Sequence, residues 1–348
     1  MKKVVAVIFG GESSEYEVSL KSASSVIENL DKNKYKIITI GITREGKWLR
    51  YFGDIEGIKN DTWYMDNNCI NVMFSLNKGD KQLIEIKDNI IKYINVDIVF
   101  PVLHGRNGED GSLQGLLEIT GIPYVGCGVL SSAICLDKDL SHKIVECAGF
   151  NVPKSIAISS NTKRERIFNF AEKVKYPIFV KPANEGSSIG MTKANNEAEL
   201  FLGIKEALKY DRKVVLEGNI EGYEVGCAII GEDELIVGTV DEIELLCDFF
   251  DFKEKYTLKK TRIHLPARID KSMEEKIKEV GKGIYMALGC KGLSRVDMFV
   301  DKNNKIIFNE VNTMPGFTTG SRFPKMLLHS GMEYKDILDK LIEMELDI

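Results

Sequence analysis

The sequence predicts an α/β protein of more than one domain, and three observations support this. With 348 residues, the chain is long enough for two or three domains that each bury a substantial core. Residues 4–9 form a continuous apolar run, which is typical of a parallel strand covered on both faces. After the glycine turn at Gly10-Gly11, residues 17–30 show helical spacing, so a strand and a helix alternate from the start.

Further elements follow in order along the chain. Apolar runs at 37–40 and 96–100 predict two more buried strands, which makes the first 125 or so residues an α/β sandwich of the dinucleotide-fold type. The polar, interrupted stretch from about 44 to 92 gives no clear prediction. From about 126 the pattern changes, with helices predicted at 137–148, 273–288 and 334–345, strands at 177–181, 214–217 and 224–230, a hairpin over 294–312 and a polar loop at about 248–262.

Composition narrows the class of protein. The net charge of −5 argues against nucleic acid or an anionic membrane as the main partner. Seven cysteines without a CxxC pair indicate free thiols in a reducing compartment. The N-terminal apolar run is too short for a secretory signal, and no run of 18 apolar residues predicts a membrane span. We therefore predict a cytoplasmic protein.

The predicted hairpin places acidic side chains opposite one another. If Asn303-Asn304 form a two-residue turn, paired residues have numbers that sum to 607, so Asp297 faces Glu310 and Arg295 faces Asn312. Opposed carboxylates repel unless a cation lies between them or one is protonated. Two carboxylates and an amide oxygen suit Mg²⁺ bound together with phosphates. The alternative is a solvated polar face that Arg295 neutralises.

A second candidate is the loop that follows the strand at 177–181. The strand ends at Lys181, and the loop "PANEGSSIG" follows with Ser187 and Ser188. Small residues let backbone N–H groups approach phosphate oxygens, and the lysine supplies a point charge. The pattern is neither a P-loop nor GxGxxG, and a flexible surface loop is the alternative.

Three more segments carry polar residues where strands end. "HGRNGEDG" at 104–111 follows the strand at 96–100, where α/β sheets place ligands, and His104 could position a small substrate. Glu217 and Glu224 bracket a short linker between strands, and they fit either nucleotide hydrogen bonds or a solvated loop. Glu15 is a candidate partner for an ammonium group, or an acid at a helix N-terminus.

The polar loop at 248–262 could close over a site, with Lys255-Tyr256 within it. A lysine in such a loop is ordinarily solvated. His142, His264 and His329 have no metal-ligand spacing, so we interpret them as structural or surface residues.

Together these motifs resemble the D-alanine–D-alanine ligase family of the ATP-grasp superfamily. "HGRNGEDGSLQG" and "GLSRVDMF…IFNEVNTMPG" are similar to the two signature segments of that family, and the matches run from Gly10 to Arg322. The resemblance implies a Rossmann-like domain (1–125), a central ATP-grasp domain (126–222) and a C-terminal ATP-grasp catalytic domain (223–348) with a lid loop at about 248–262. It also implies ATP and Mg²⁺, with two ions or Mn²⁺ in its place, and a homodimer.

The resemblance also assigns site residues. ATP binding falls to residues that match the family's nucleotide contacts: Lys138, Lys181, Ser188, Glu217, Ile220, Glu224, Phe249 and Phe299. Asp297, Glu310 and Asn312 match the Mg²⁺ ligands, in agreement with the hairpin geometry. Catalysis is assigned to Glu15, Ser187, Arg295, Tyr256 and Gly316, where Arg295 and the Gly316 amide stabilise an oxyanion. Substrate binding is assigned to His104, Lys255, Ser321, Arg322 and Phe250.

The second substrate is the open part of this resemblance. Lys255-Tyr256 are similar to the members that use an amino acid, whereas Tyr16, Phe250, Arg322 and "EKYTLK" resemble the D-alanine–D-serine ligases of vancomycin resistance. Arg322, near the pocket for the second substrate, could support a hydrogen bond to the hydroxyl of serine. An apolar pocket would reject that hydroxyl by only roughly 10²-fold. We therefore predict D-alanyl-D-serine formation through D-alanyl phosphate. A housekeeping D-alanine–D-alanine ligase is the alternative, followed by another ATP-grasp carboxylate–amine ligase.

Overall fold

The computed structural model describes residues 2–245 and 261–346 and contains three β-sheets. The first sheet has seven strands in the order β6-β5-β4-β3-β2-β1-β7, of which β2, β1 and β7 are parallel. Its strands are β1 Lys3–Gly10, β2 Tyr35–Ile42, β3 Trp48–Tyr51, β4 Ile70–Phe74, β5 Gln82–Lys87, β6 Ile90–Asn95 and β7 Ile98–Val102. The helices beside it are α1 Tyr16–Asn29, α2 Ile55–Lys59 and α3 Ser112–Thr120, with a 3-10 turn at Trp63–Met65.

The second sheet is small and antiparallel, in the order β10-β9-β11-β8. Its strands are β8 Ser155–Ile158, β9 Ile178–Pro182, β10 Thr192–Ala194 and β11 Val214–Gly218. Two helices, α6 Arg164–Val174 and α7 Glu197–Ala207, bury their apolar sides against it. Before this sheet come α4 Val129–Leu136 and α5 Lys138–Cys147, which pack against the third sheet instead.

The third sheet is antiparallel, in the order β15-β14-β12-β16-β17, with β13 paired to β12. Its strands are β12 Gly222–Gly231, β13 Ile236–Val237, β14 Asp241–Leu245, β15 Thr261–His264, β16 Gly292–Asp301 and β17 Ile306–Asn312. The helix α8 Lys271–Ala287 covers one face, and α9 Arg322–His329 and α10 Tyr334–Glu345 follow β17. Among the described residues, no helix has the length and apolar character to cross a membrane.

One continuous core joins the first and third sheets. The apolar side of α1 and the strand β1 pack together with residues of α9 and α10, and Phe317 lies among them with ring contacts to Phe100 and Tyr334. The helices α9 and α10 therefore attach the segment that follows β17 to the N-terminal sheet. This shared core places the loop at 104–111 beside the segment after β17.

The helices and strands predicted outside 44–92 are present, with small differences in their bounds. The polar loop predicted at about 248–262 lies outside the described residues up to 260, and β15 begins at Thr261. The unplaced stretch contains four antiparallel strands and the turn that carries Trp63. The paired residues of the hairpin, Asp297 with Glu310 and Arg295 with Asn312, are confirmed.

The turn predicted for that hairpin is wrong. Val300 pairs with Ile306, and Asn304 adopts a left-handed φ of 61° in a longer turn, so pairs near the turn sum to 606. The register then shifts between Met298 and Asp297, where Asn309 is an extra residue in β17. This β-bulge restores the sum of 607, so the two deviations cancel before the acidic residues are reached.

The close contact between Gly41 and Trp63 gives a test of the first sheet. A Cβ atom on Gly41 would lie 2.3 Å from two carbons of the buried indole, so Gly41→Ala should destabilise the protein by about 1–3 kcal/mol through overpacking. Gly115→Ala is the matched control, because a Cβ there meets nothing within 4 Å and α3 gains helix propensity. Urea unfolding followed by tryptophan fluorescence measures both, since Trp48 and Trp63 are the only tryptophans. Equal midpoints for the two variants would contradict this packing.

Candidate functional site

A cavity of about 430 Å³ lies between the second and third sheets. Its apolar walls include Phe179, Met191 and Phe299. Most of the site residues predicted from the sequence line it: Lys138, Lys181, Ser187, Ser188, Glu217, Ile220, Glu224, Arg295, Asp297, Phe299, Glu310 and Arg322. The fold thus brings together in one cleft residues as distant in the sequence as Lys138 and Arg322.

A buried ion pair crosses the floor of this cleft. Lys181 at the end of β9 donates a hydrogen bond of 2.6 Å from Nζ to Oε2 of Glu217 on the adjacent strand β11. Burial alone would raise the pKa of Glu217, but the charge and hydrogen bond of Lys181 outweigh it, and the pKa lies below its usual range. The other carboxylate oxygen, Oε1, is buried without a hydrogen-bond partner among the described residues. Glu217 therefore offers an acceptor to a ligand that donates N–H or O–H groups.

A second lysine lies at the beginning of α5. Asp137 caps this helix through the amides of Asp139 and Leu140, which directs its N-terminus and Lys138 towards the cleft. Lys138 donates a hydrogen bond of 2.7 Å to the carbonyl oxygen of Glu185, and its Nζ lies 3.9 Å from Oε2 of Glu310. A helix N-terminus and two lysines near acidic residues form a setting that suits phosphates bound with a cation.

The acids of the hairpin form the opposite wall. Arg295 donates from Nε to both carboxylate oxygens of Asp297, at 2.8 and 3.0 Å, and from Nη2 at 2.6 Å. Asn312 donates an amide hydrogen bond of 3.1 Å to the same carboxylate. Burial, followed by the charge of Asp297, raises the pKa of the neighbouring Glu224 to about 7. A further cation beside Glu224 would stabilise its charged form.

The donor set of this wall fits a hard divalent cation. Asp297, Glu310 and Asn312 offer carboxylate and amide oxygens, the ligands that Mg²⁺ takes when it also binds phosphate. Within residues 2–245 and 261–346, no group of three histidine, cysteine or acidic side chains is arranged to hold a metal by itself. Phosphate oxygens and water would therefore complete the coordination, as Mg²⁺ sites with nucleotides usually require.

The loop at 182–190 contacts the N-terminal domain. Ser187 donates a hydrogen bond from Oγ to Oε1 of Glu15, which stands just before α1. Both Ser187 and Ser188 adopt left-handed φ angles, 52° and 59°. A Cβ atom on Gly105 or Gly186 would lie 3.0 Å from Oε2 of Glu15, so both glycines are needed for this approach. The structure therefore brings Glu15 and the predicted phosphate loop together.

His104 connects the N-terminal domain to the segment after β17. It is fully buried, its Nδ1 donates to the carbonyl oxygen of Met314 over 2.7 Å, and its Nε2 lies 3.2 Å from the hydroxyl of Ser22. Burial lowers the pKa of His104, so the ring is neutral at pH 7. The carboxylate of Glu109 accepts from the amides of Gly105 and Met314 at 2.7 and 2.9 Å, a role that sequence reasoning missed.

Gly316 and Ser321 lie beside one another at the end of that segment. A Cβ atom on Gly316 would be 3.1 Å from Oγ of Ser321, which in turn accepts a hydrogen bond from the amide of Thr318. Four residues assigned from the sequence lie outside the described residues: Phe249 for ATP binding, Phe250 and Lys255 for substrate binding, and Tyr256 for catalysis.

Arg322 at the beginning of α9 is held by acids of the third sheet. It donates from Nε and Nη2 to Asp241 at 2.7 and 2.8 Å, and its guanidinium lies 3.5 Å from Glu224 and 3.4 Å from Asp297. Gly226 pairs with Asp241 on one side and with Asp297 on the other, and a Cβ there would be 2.4 Å from Nη2 of Arg322.

Asp241 is a residue that sequence reasoning missed. It is 1% exposed, and its only signal in the sequence was an acid at the start of the alternating run "DEIEL".

The three-sheet fold and this cleft define an α/β ligase of the ATP-grasp class, in which a nucleotide lies between two antiparallel sheets. Family models described as D-ala D-ala ligase N-terminus and C-terminus match residues 4–127 and 144–343. The chain belongs to the D-alanine–D-alanine ligase family.

Relatives and solved structures agree with this assignment. The D-alanine–D-alanine ligase of Caldicellulosiruptor bescii is 44% identical, over 99% of this chain and 96% of that protein. Vancomycin C-type resistance protein VanC2 of Enterococcus casseliflavus is 42% identical, over 98% of each chain. The crystal structure of VanG D-Ala:D-Ser ligase from Enterococcus faecalis has a TM-score of 0.92 and 51% identity, over 99% of this chain and 100% of that one. The D-alanine–D-alanine ligase of Bacillus anthracis, solved in complex with ATP, has a TM-score of 0.74 and 29% identity, over 99% and 98%.

The Lys181–Glu217 pair gives a test of the cleft floor. Their side chains are 13% and 4% exposed, so Lys181→Met should leave a buried carboxylate unpaired and cost about 3–5 kcal/mol of stability. The double variant Lys181→Met/Glu217→Met should recover most of that loss, because neither charge remains. Urea unfolding followed by circular dichroism measures both. Lys209→Met, which breaks an exposed pair with Glu206, should leave the midpoint unchanged, and an equal loss there would contradict the assignment.

Proposed function

We propose that this chain is an ATP- and Mg²⁺-dependent ligase that activates the carboxylate of D-alanine as an acyl phosphate and joins it to D-serine. The observation that carries the proposal is the convergence of two lysines, an arginine and the hairpin acids on one cleft between two sheets. Such a set can hold a polyphosphate, a cation and the carboxylate to be activated. Peptidoglycan precursor synthesis is the pathway that such a product would enter.

The nucleotide would lie along the cleft. The adenine would lie between the rings of Phe179 and Phe299. It would donate a hydrogen bond to Oε1 of Glu217, which has no partner among the described residues, and it would also bond to the backbone near Ile220. Glu224 would accept from the ribose hydroxyls. Lys138, Lys181 and Ser188 would contact the phosphates, and Phe249 is assigned to the same pocket. The ATP complex of the Bacillus anthracis relative supports this nucleotide.

Asp297, Glu310 and Asn312 would hold the metal. When bound, Mg²⁺ (two ions, or Mn²⁺ in their place) neutralises charge on the phosphoryl group being transferred. Arg295 would then be free to release part of its bond to Asp297 and turn towards the substrate. Arg295 is 6% exposed, so its charge would act in a site that contains little water, where electrostatic interactions are strong.

Two chemical steps would form the dipeptide. An oxygen of the D-alanine carboxylate attacks the γ-phosphorus, and the bond to the bridging oxygen breaks, which releases ADP. The amine of the second amino acid then attacks the acyl carbon, the carbon–oxygen bond to phosphate breaks, and the proton that the nitrogen loses passes to the departing phosphate or to water. Arg295 and the amide of Gly316 would stabilise the oxyanion between these events. Nothing in the sequence assigns a dedicated base to the incoming amine.

The remaining site residues would bind the two amino acids. Glu15 and His104 would hold the first D-alanine, and the bond from Ser187 to Glu15 would keep the phosphate loop over it. Ser321 and Lys255 would bind the carboxylate of the second substrate, while Tyr256 would join Glu15 and Ser187 in closing the site and limiting hydrolysis of the acyl phosphate. A homodimer in the cytoplasm remains part of the proposal.

D-serine as the second substrate is supported by the buried Arg322–Asp241 pair. A polar, charged group beside the Ser321 side of the cleft suits a hydroxymethyl side chain better than a methyl group. The VanG D-Ala:D-Ser ligase, at 51% identity, supports the same choice. D-alanine is the second candidate, because the relative from Caldicellulosiruptor bescii, at 44% identity, is a D-alanine–D-alanine ligase.

Substrate competition tests this function. The protein is incubated with ATP, Mg²⁺, D-alanine and equal concentrations of D-alanine and D-serine as second substrate, and the dipeptides are identified by mass spectrometry over a range of pH. D-alanyl-D-serine should dominate, together with release of phosphate. A mixture dominated by D-alanyl-D-alanine would replace D-serine by the second candidate. Without D-alanine-dependent release of phosphate, the ligase proposal itself would fail.

Arg322 should control the product ratio. Arg322→Met alone would leave Asp241 buried and unpaired, so the informative variant is Arg322→Met/Asp241→Asn. We expect the ratio of D-alanyl-D-serine to D-alanyl-D-alanine to fall by at least about tenfold, since the polar support for a hydroxyl is lost. Lys325→Met, an exposed position one turn further along α9, is the matched control and should keep the ratio. An unchanged ratio in the double variant would remove Arg322 from the account of selectivity.

A further inference from the structure

Along β17, the core-facing side chains change from even-numbered to odd-numbered positions. Ile306 and Phe308 face the core beneath the third sheet, and the next core residue is Val311 rather than position 310. Its partner β16 keeps strict alternation, with Val296, Met298 and Val300 in that core. The change of parity in β17 occurs at the bulge formed by Asn309.

The bulge decides where Glu310 and Asn312 point. In a regular strand, side chains alternate between the two faces, so positions 310 and 312 would share the core face of Ile306 and Phe308. Asn309 would then stand opposite Asp297. The extra residue turns Glu310 and Asn312 to the cleft instead, where they pair with Asp297 and Arg295. A bulge re-aims side chains in this way next to many active sites.

His142 binds the backbone of this bulge. It lies in the middle of α5, is 3% exposed, and its Nε2 is 3.0 Å from the carbonyl oxygen of Asn309. Because a carbonyl oxygen only accepts, Nε2 carries the hydrogen and donates. The edge of its ring packs against Phe308 with the centroids 5.6 Å apart. Among the strands of residues 2–245 and 261–346, none pairs with the outer edge of β17, so His142 provides a donor for a carbonyl group at that edge.

Asn151 holds the part of β17 that precedes the bulge. Asn151 accepts from the amide of Phe308 over 2.8 Å and donates to the carbonyl oxygen of Ile306 over 3.0 Å. These bonds fix the strand before Asn309. The bond from His142 fixes the first residue of the altered register, directly before Glu310.

We propose that His142 is a positioning residue for the metal site: its hydrogen bond to Asn309 holds the bulge that directs Glu310 and Asn312 towards the cation. This inference rests on the proposed function, because it concerns the same metal ligands. His142 also belongs to α5, whose first residue is Lys138, so one helix connects a phosphate-facing lysine to the register of the metal ligands.

Calorimetric titration of ADP in Mg²⁺ and in EDTA tests the proposal, without reference to turnover. His142→Phe keeps an aromatic ring against Phe308 but cannot donate to Asn309. We expect its ADP affinity in Mg²⁺ to fall by about tenfold or more, as is usual when the support of a metal ligand is removed. Its affinity in EDTA should stay within about threefold of the wild-type value. His142→Gln places an amide nitrogen near the position of Nε2 and should restore most of the affinity in Mg²⁺.

Controls separate this role from general damage to the fold. Lys143→Met changes the exposed neighbouring position of α5 and should leave both affinities unchanged. Thermal unfolding by circular dichroism verifies that each variant is folded, and His142→Leu replaces His142→Phe if the larger ring is not accommodated.

Two results would overturn the inference. Either His142→Phe retains the wild-type gain in affinity from Mg²⁺, or it loses as much affinity in EDTA as in Mg²⁺, which would assign His142 to the nucleotide pocket beside Glu217. A wild-type protein whose ADP affinity does not respond to EDTA would instead refute the proposed metal site, and the inference with it.

Discussion

Burial of like charge is the constraint on which the rest of the cleft depends. Asp241 and Asp297 are each 1% exposed, and Glu224 lies beside them. A carboxylate removed from water costs several kcal/mol unless a cation meets it, so every acid here requires a partner. Arg295 and Arg322 provide fixed positive charge within the sheet. Burial, followed by the charge of Asp297, raises the pKa of Glu224 to about 7, so a further cation in the cleft would stabilise its charged form.

The shared core explains how a site divided over three sheets keeps its geometry. The rings around Phe317 attach α9 and α10 to the N-terminal sheet, and His104 binds the carbonyl oxygen of Met314 from the other side. The segment that carries Gly316 is therefore held between two domains. The loop with Ser187 is held from two sides, by the bond from Ser187 to Glu15 and by the bond from Lys138 to the carbonyl oxygen of Glu185.

Much of the fold could be predicted from the sequence because strong patterns coincide with buried elements. The continuous apolar run of β1 reflects burial of both faces of the strand, and the helical spacing of α1 reflects burial of one face of the helix. The strands within 44–92 could not be predicted, because they pair antiparallel at the edge of the sheet and apolar residues such as Met73 and Tyr93 are exposed. Apolar side chains on an open face give no clean alternation, so periodicity does not report the strands.

The site was predicted in part for a physical reason and in part through a compensating error. The pairing of Asp297 with Glu310 followed from a two-residue turn that does not exist, and the bulge at Asn309 corrected the register. The sequence did contain a signal for the bulge, since Ile306, Phe308 and Val311 break strict alternation. Asp241 carried no such signal, because its importance comes from an arginine 81 positions away.

The position of Arg322 couples selectivity to the nucleotide side of the cleft. Gly226 in β12 stands between Asp241 and Asp297, and only the absence of a side chain there lets the guanidinium lie across all three strands. One cation therefore balances both Asp241 and Asp297, and Asp297 is the proposed metal ligand. A change that adapts the pocket to a smaller side chain by removing Arg322 also removes charge from Asp297 and Glu224. If Arg322 sets the choice of second substrate as proposed, a change of that choice at Arg322 requires a compensating loss of negative charge, most directly at Asp241.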